Sequence, residues 1–177
     1  MKSHYSDPTG PITIEKRIFC VLVDNEPGVL ARIAGMFSGR GYNIESLTVS
    51  ETEHEKHLSR ITIVTSGTPN VLDQIKAQLE RLVPVHRVAD LARAGNPIER
   101  EVALLKVRGD GDDRVEALRL AQAFGAKTVD ATLKSFIFEL TGATDAIERF
   151  ITLMADIGLV EVSRTGVAAI SRGSDGL

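Results

Sequence analysis

An apolar run, Ile18-Phe19-Cys20-Val21-Leu22-Val23, stops abruptly at Asp24-Asn25-Glu26-Pro27-Gly28 and gives way to residues at helical spacing, Leu30, Ile33 and Phe37. A strand (16–23) feeding a helix through a tight Pro-Gly turn is the only reading that fits both periods. Pro27 is expected as the first helical residue, since its fixed φ is helical and its missing N–H would have no partner there. Gly39 and Gly41 close the helix. Ile44–Ser50 and Leu58–Thr65 follow as alternating strands around a polar tip, Glu51–Lys56. After Ser66-Gly67-Thr68-Pro69-Asn70 comes a second helix with Leu72, Ile75, Leu79 and Leu82 on one stripe. A short strand, Pro84–Leu91, ends the unit. The order is β-α-β-β-α-β.

The order then repeats. Ala92-Arg93-Ala94-Gly95-Asn96-Pro97 (92–97) has the composition of a linker. Beyond it lie a strand (101–107), a helix (112–124), a hairpin from Ala126–Leu133 and Phe136–Leu140, a helix (144–157) and a last strand (159–162). Gly166–Gly173 reads as a tail. The chain is therefore expected to be α+β, with two tandem ferredoxin-like βαββαβ domains at 16–91 and 98–177 and a flexible arm at 1–15. The near-continuous apolar strand 18–23 predicts that both faces of the first sheet are covered. Helices cover one face, so a second copy of the chain is the expected cover for the other, and a dimer follows.

Composition narrows the function by exclusion. The 177 residues are 43% hydrophobic with a formal net charge of −3, and the charges are interspersed. No basic stripe marks a nucleic-acid or anionic-membrane surface. The polar stretch Met1–Pro11 lacks the apolar core of a signal peptide and no later run spans a bilayer, so a cytoplasmic protein is expected. Cys20 reads as a buried thiol. His54 and His57 have no third ligand for zinc, and His4 and His86 have no companion. Gly109-Asp110-Gly111-Asp112-Asp113-Arg114 has Arg114 where a dinucleotide fingerprint needs its third glycine. Glu51, Glu53 and Glu55 sit on a solvated tip without the burial that separates catalytic pKa values. No catalytic site and no metal or cofactor site is expected in this chain.

What remains is binding chemistry at the two ends of the first helix. Gly28 leaves the amides of the helix start open to a carboxylate, helped by the positive end of the helix dipole. Asn25 and Asn43 each offer a carbonyl to an ammonium group. These ends lie about 20 Å apart, too far for one amino acid, so a single ligand touches both only across a subunit boundary. An RNA-binding module shares the βαββαβ order but has aromatic stacking residues that are missing here. A stand-alone amino-acid-binding module that regulates some other enzyme or a transcription factor remains open on these residues.

Asn25-Glu26-Pro27-Gly28-Val29-Leu30 with Gly41-Tyr42-Asn43-Ile44-Glu45-Ser46-Leu47-Thr48-Val49 resembles the regulatory (small) subunit of acetolactate synthase. Leu58–Ile63, Gln74-Ile75, Gln78-Leu79, Glu99-Arg100-Glu101, Leu104–Val107, Arg164-Thr165-Gly166 and Ser171-Arg172-Gly173 extend the resemblance from about Arg17 to Gly173. It implies that the first half is an ACT domain and the second the family's own C-terminal domain. It further implies a partner, a catalytic (large) subunit carrying thiamine diphosphate, FAD and magnesium. That enzyme makes 2-acetolactate from pyruvate at the start of branched-chain amino-acid synthesis. The small subunit would activate it and confer feedback inhibition, typically by valine. The effector would sit between two ACT domains, with Asn25, Gly28 and Val29 from one copy and Asn43 and Ile44 from the other. The arm 1–15 is longer than the family leads one to expect.

Overall fold

The structure, a computed structural model, describes residues 13–53 and 57–177. The arm through Ile12, His4, and the tip residues His54, Glu55 and Lys56 lie outside the described residues. The first half holds β1 (Glu15–Asp24), α1 (Val29–Gly39), β2 (Ser46–Glu53), β3 (Leu58–Gly67), α2 (Pro69–Leu79) and β4 (Val85–Asp90). The second holds β5 (Ile98–Arg108), α3 (Gly111–Phe124), β6 (Lys127–Ala131), β7 (Ser135–Gly142), α4 (Thr144–Ile157), β8 (Leu159–Arg164) and β9 (Ala168–Ile170). The sheets run β2-β3-β1-β4 and β6-β7-β5-β8, all antiparallel, with β9 added to β5. Both halves thus place their first and third strands at the centre and their second at an edge. The expected pair of tandem ferredoxin-like units is what the chain forms.

Strand alternation decides which residues meet the helices. On β1, Phe19, Val21 and Val23 face inward and pack with Ile61 and Ile63 of β3, Ile33 and Phe37 of α1, and Leu72, Ile75 and Leu79 of α2. In the second half Ala103, Leu105 and Val107 of β5 pack with Phe136 and Phe138 of β7, Ala117 and Ala121 of α3, and Ile147, Phe150 and Met154 of α4. Fully burying one such aliphatic or aromatic side chain is worth about 1.5–3 kcal/mol. These two cores position everything else.

Three sequence expectations change. Helix α1 begins at Val29, not Pro27, because Gly28 adopts φ +92° and breaks the helical run before it starts. The tail is not featureless. Its residues Ala168–Ile170 form β9 against Ile98–Arg100, which lengthens β5 at its start. Finally, the second face of the first sheet is closed by the chain itself. Ile18, Cys20, Val64 and Leu91 on that face pack with Val167 and Ala169. Burial of β1 on both sides therefore needs no second copy.

Candidate functional site

The loop after β1 is fixed by main-chain bonds at each residue. The amide of Asp24 donates to the Pro84 carbonyl at 3.0 Å, that of Asn25 to His57 at 2.7 Å, and that of Glu26 to Asp24 at 3.0 Å. The Asp24 carboxylate meets His86 Nε2 at 2.6 Å. Asn25 is left exposed, and its side chain has no hydrogen-bond partner among the described residues. Gly28 caps α1 with no side-chain hydrogen bond, and the first turn holds no acidic residue. A Cβ at Gly28 would meet nothing within 4 Å. The left-handed φ, rather than space, is what requires glycine. No side chain caps this helix start, where the positive end of the helix dipole lies.

The other end of α1 is closed differently. The amides of Arg40, Gly41 and Tyr42 return to Phe37, Ser38 and Phe37 carbonyls, and the Tyr42 ring stands edge-on to Phe37 at 6.1 Å. Asn43 is exposed at its side chain, while its carbonyl accepts the Thr65 hydroxyl at 2.6 Å. Ile44 packs on the edge of the first core. Val29 is only 4% exposed and packs into that core, and its amide donates to the Glu26 carbonyl at 3.5 Å.

Within one chain these groups do not converge. Asp24, next to Asn25, pairs with Leu58 at the start of β3, whereas Asn43 is held by Thr65 seven residues further along. At about 3.3 Å per residue that is about 23 Å. Asn25 and Gly28 lie at one end of the sheet, and Asn43 and Ile44 at the other.

Beside the Asn43 end lies a cleft of about 370 Å³ between the two halves, and the sequence reading missed it. Lys16, Glu45 and Ser46 line it from the first half and Glu101, Thr144, Glu148 and Arg164 from the second. Arg164 bridges Glu101 and Glu148, and Glu101 first, with Glu148 in support, holds the guanidinium above the ordinary arginine range against its partial burial. At the rim, the Val167 amide donates to Ser46 Oγ at 2.8 Å and Thr48 Oγ1 donates to the Val167 carbonyl at 2.9 Å. Farther in, Arg60 donates to the Ala169 carbonyl at 2.6 Å and reaches Cys20 Sγ at 3.1 Å. The one signal for these contacts in the sequence was the short apolar run Val167–Ile170 after a Thr-Gly turn.

Two family models match in tandem. One described as an AHAS small subunit-like ACT domain covers residues 19–87, and one described as the small subunit of acetolactate synthase covers residues 100–173. A probable acetolactate synthase small subunit of Archaeoglobus fulgidus is 43% identical over 159 residues, 90% of this chain and 98% of that protein. This chain belongs to the acetolactate synthase small-subunit family. The isozyme 3 small subunit of Salmonella typhimurium is likewise 43% identical over 159 residues, 89% of this chain and 96% of the relative. The crystal structure of the acetolactate synthase small subunit from Thermotoga maritima superposes with a TM-score of 0.79 at 37% identity, over 91% of this chain and 99% of that one. The first half is thus the family's ACT domain, and the loop and the Asn43 segment are both features of it. Among the described residues no helix is long and apolar enough to cross a membrane.

Proposed function

We propose that this chain is the regulatory subunit of an acetolactate synthase, activating a separate catalytic subunit and making it sensitive to feedback inhibition by valine. The observation that carries the reading is the tandem match, an ACT domain joined on one chain to the small-subunit domain. Thiamine diphosphate, FAD and magnesium belong in this reading to the catalytic subunit, in the first common step of valine, leucine and isoleucine synthesis. The setting is cytoplasmic.

The effector site is a homodimer site. Strand β2 is an edge of the first sheet, and Val49 on it is 48% exposed. An open edge is a template for another strand. Pairing β2 with its copy about a two-fold axis runs the strands antiparallel. The Asn43 end of one copy then lies beside the Asn25 end of the other, which closes a gap that one chain alone leaves at about 23 Å. Valine's carboxylate meets the positive start of α1 beside Gly28 and Val29, its ammonium the Asn25 and Asn43 carbonyls, and its isopropyl group the side of Ile44.

The energies suit a sensor. Binding in the micromolar-to-millimolar range needs about 8 to 4 kcal/mol. The helix dipole supplies roughly 0.3–1 kcal/mol of it, and hydrogen bonds and burial of the branched side chain supply the rest. Co-purification with the cognate catalytic chain, with pyruvate turnover measured with and without valine, tests the reading. The expected result is a faster enzyme that valine slows. A catalytic chain indifferent to this subunit would rule the reading out.

A further inference from the structure

Hydrogen bonds join the two halves along the segment after Gly166. Among the described residues, the bonds that leave the first half for the second are those of Ser46 and Thr48 to Val167, Cys20 and Arg60 to Ala169, and Arg87 to Gly176. All end on the segment after Gly166. The linker between β4 and β5 is largely exposed; the Ala94 amide donates back to the Asp90 carbonyl of β4, and the Asn96 carbonyl accepts from Arg172 Nε at 2.7 Å.

The segment is held on both sides. Thr165 exchanges bonds with Val102 of β5, its amide donating to the Val102 carbonyl and its hydroxyl accepting the Val102 amide, each at 3.0 Å. Ala168 and Ile170 pair with Arg100 and Ile98 of the same strand. Arg164 ties the start of the segment to Glu101 of β5 and Glu148 of α4. On the other side, Ser46 and Thr48 grip the amide and carbonyl of Val167. There is no slack between them. Gly166 has φ +82°, and a Cβ there would lie 2.9 Å from Ser46 Oγ and 3.0 Å from Thr48 Cγ2. Ser46 is the first residue of β2, two positions after Ile44. The cleft of about 370 Å³ beside this grip leaves the halves room to shift about it.

We propose that the strap Thr165–Ala169, gripped by Ser46 and Thr48, transmits effector occupancy from the ACT sheet to the C-terminal domain. The inference rests on the valine reading above and adds the route by which that site acts. A ligand that repositions Asn43 and Ile44 moves the start of β2. Its two bonds then draw Val167 along, and the strap pulls on β5 and, through Arg164, on α4. Coupling carried this way needs two arrangements of one physical element that both sites bias. Ser46 and Thr48 are positioning residues here; neither has to touch the effector.

The test uses the full-length subunit with its catalytic chain. The double variant Ser46→Ala/Thr48→Val removes both strap bonds, and Thr48→Ser keeps the hydroxyl. Three quantities are read: valine affinity of the subunit alone by calorimetry, activation of the catalytic chain, and the valine concentration giving half inhibition. In the double variant, affinity is expected to stay within about twofold and activation to persist. The half-inhibition concentration rises about tenfold, an ordinary size for allosteric coupling, and Thr48→Ser behaves as the parent. Unchanged inhibition in the double variant overturns the inference, as does a loss of valine affinity that accounts for the whole effect. A parent subunit that neither binds valine nor activates its partner removes the valine reading, and the inference with it. Hydrogen exchange at the Val167 amide of the unmodified subunit gives the same answer without a variant. A several-fold change in its rate on adding valine supports the strap, and an unchanged rate overturns it.

Discussion

Arg17 and Asp90 pair at 3.2 Å beneath α2, with side chains only 5% and 3% exposed. Arg17 also donates to Asp73 on α2 at 2.6 Å and to Glu15 at 3.2 Å, so one guanidinium joins β1, β4 and α2. Breaking a buried pair by removing one partner leaves an uncompensated charge and costs about 3–5 kcal/mol. Arg17→Met is therefore expected to lower the stability of the ACT domain by about that much, read as a shift in the urea midpoint. A loss below about 1 kcal/mol, the size of a surface ion pair, would show that Asp90 finds water instead.

Asp73 gives that network a pH signature. The hydrogen bond from Arg17, and secondarily that from Arg93, holds its carboxyl below the ordinary carboxylate range. A carboxylate whose folded pKa is depressed contributes stability that is complete above its unfolded value and disappears as pH falls through the folded one. Asp73→Asn should then show a constant deficit from neutrality down to about pH 5. The deficit should shrink as pH falls further, through the unfolded and then the depressed folded pKa. Denaturant midpoints of parent and variant across that range would separate this from a deficit constant at every pH.

Gly28→Asp places a carboxylate where the proposed effector's own carboxylate sits and forces a non-glycine residue to φ +92°. The left-handed conformation costs roughly 1–2 kcal/mol, while the space around Cβ is open. The expected outcome is a folded, activating subunit whose complex valine no longer inhibits. Inhibition at an unchanged valine concentration in the reconstituted complex would put the effector elsewhere.

Gly166→Val tests the closing of the second face. Its side chain would overlap Ser46 and Thr48 while adopting a left-handed φ, so the strap has to lift. Cys20 is fully buried under Ala169. Its thiol should then react with a thiol reagent at least about tenfold faster than in the parent, in line with a cost of roughly 1–3 kcal/mol for such strain. An unchanged labelling rate would mean that the strap is not what shields the thiol.

The fold was legible because each local choice agreed with the whole. The 2-residue period of Ile61 and Ile63 and the helical spacing of Leu72, Ile75 and Leu79 name their own elements, and all five reach the core. The start of α1 was misplaced because Pro27 and Gly28 are both good turn residues. Only the φ of Gly28 decides between them. The candidate site was half legible: Asn25, Gly28 and Asn43 declare themselves as exposed residues at helix ends. Val29 does not, since a valine in the first turn looks the same in sequence whether it faces ligand or core. The strap was invisible for a different reason. Its bonds join Ser46 to Val167 across 121 positions, and one sequence carries no record of such a pairing.

The strap also sets an order of events in making the protein. Cys20 and Ala169 are 149 positions apart, so the first sheet is completed by residues that leave the ribosome long after it. At synthesis rates of about 5–20 residues per second, the interval between Leu91 and Ala169 lasts about 4–16 seconds. Through that interval Ile18, Cys20, Val64 and Leu91 form an apolar face with nothing on it. A nascent ACT domain of this chain thus keeps that face uncovered by its own strap until the second half has been translated.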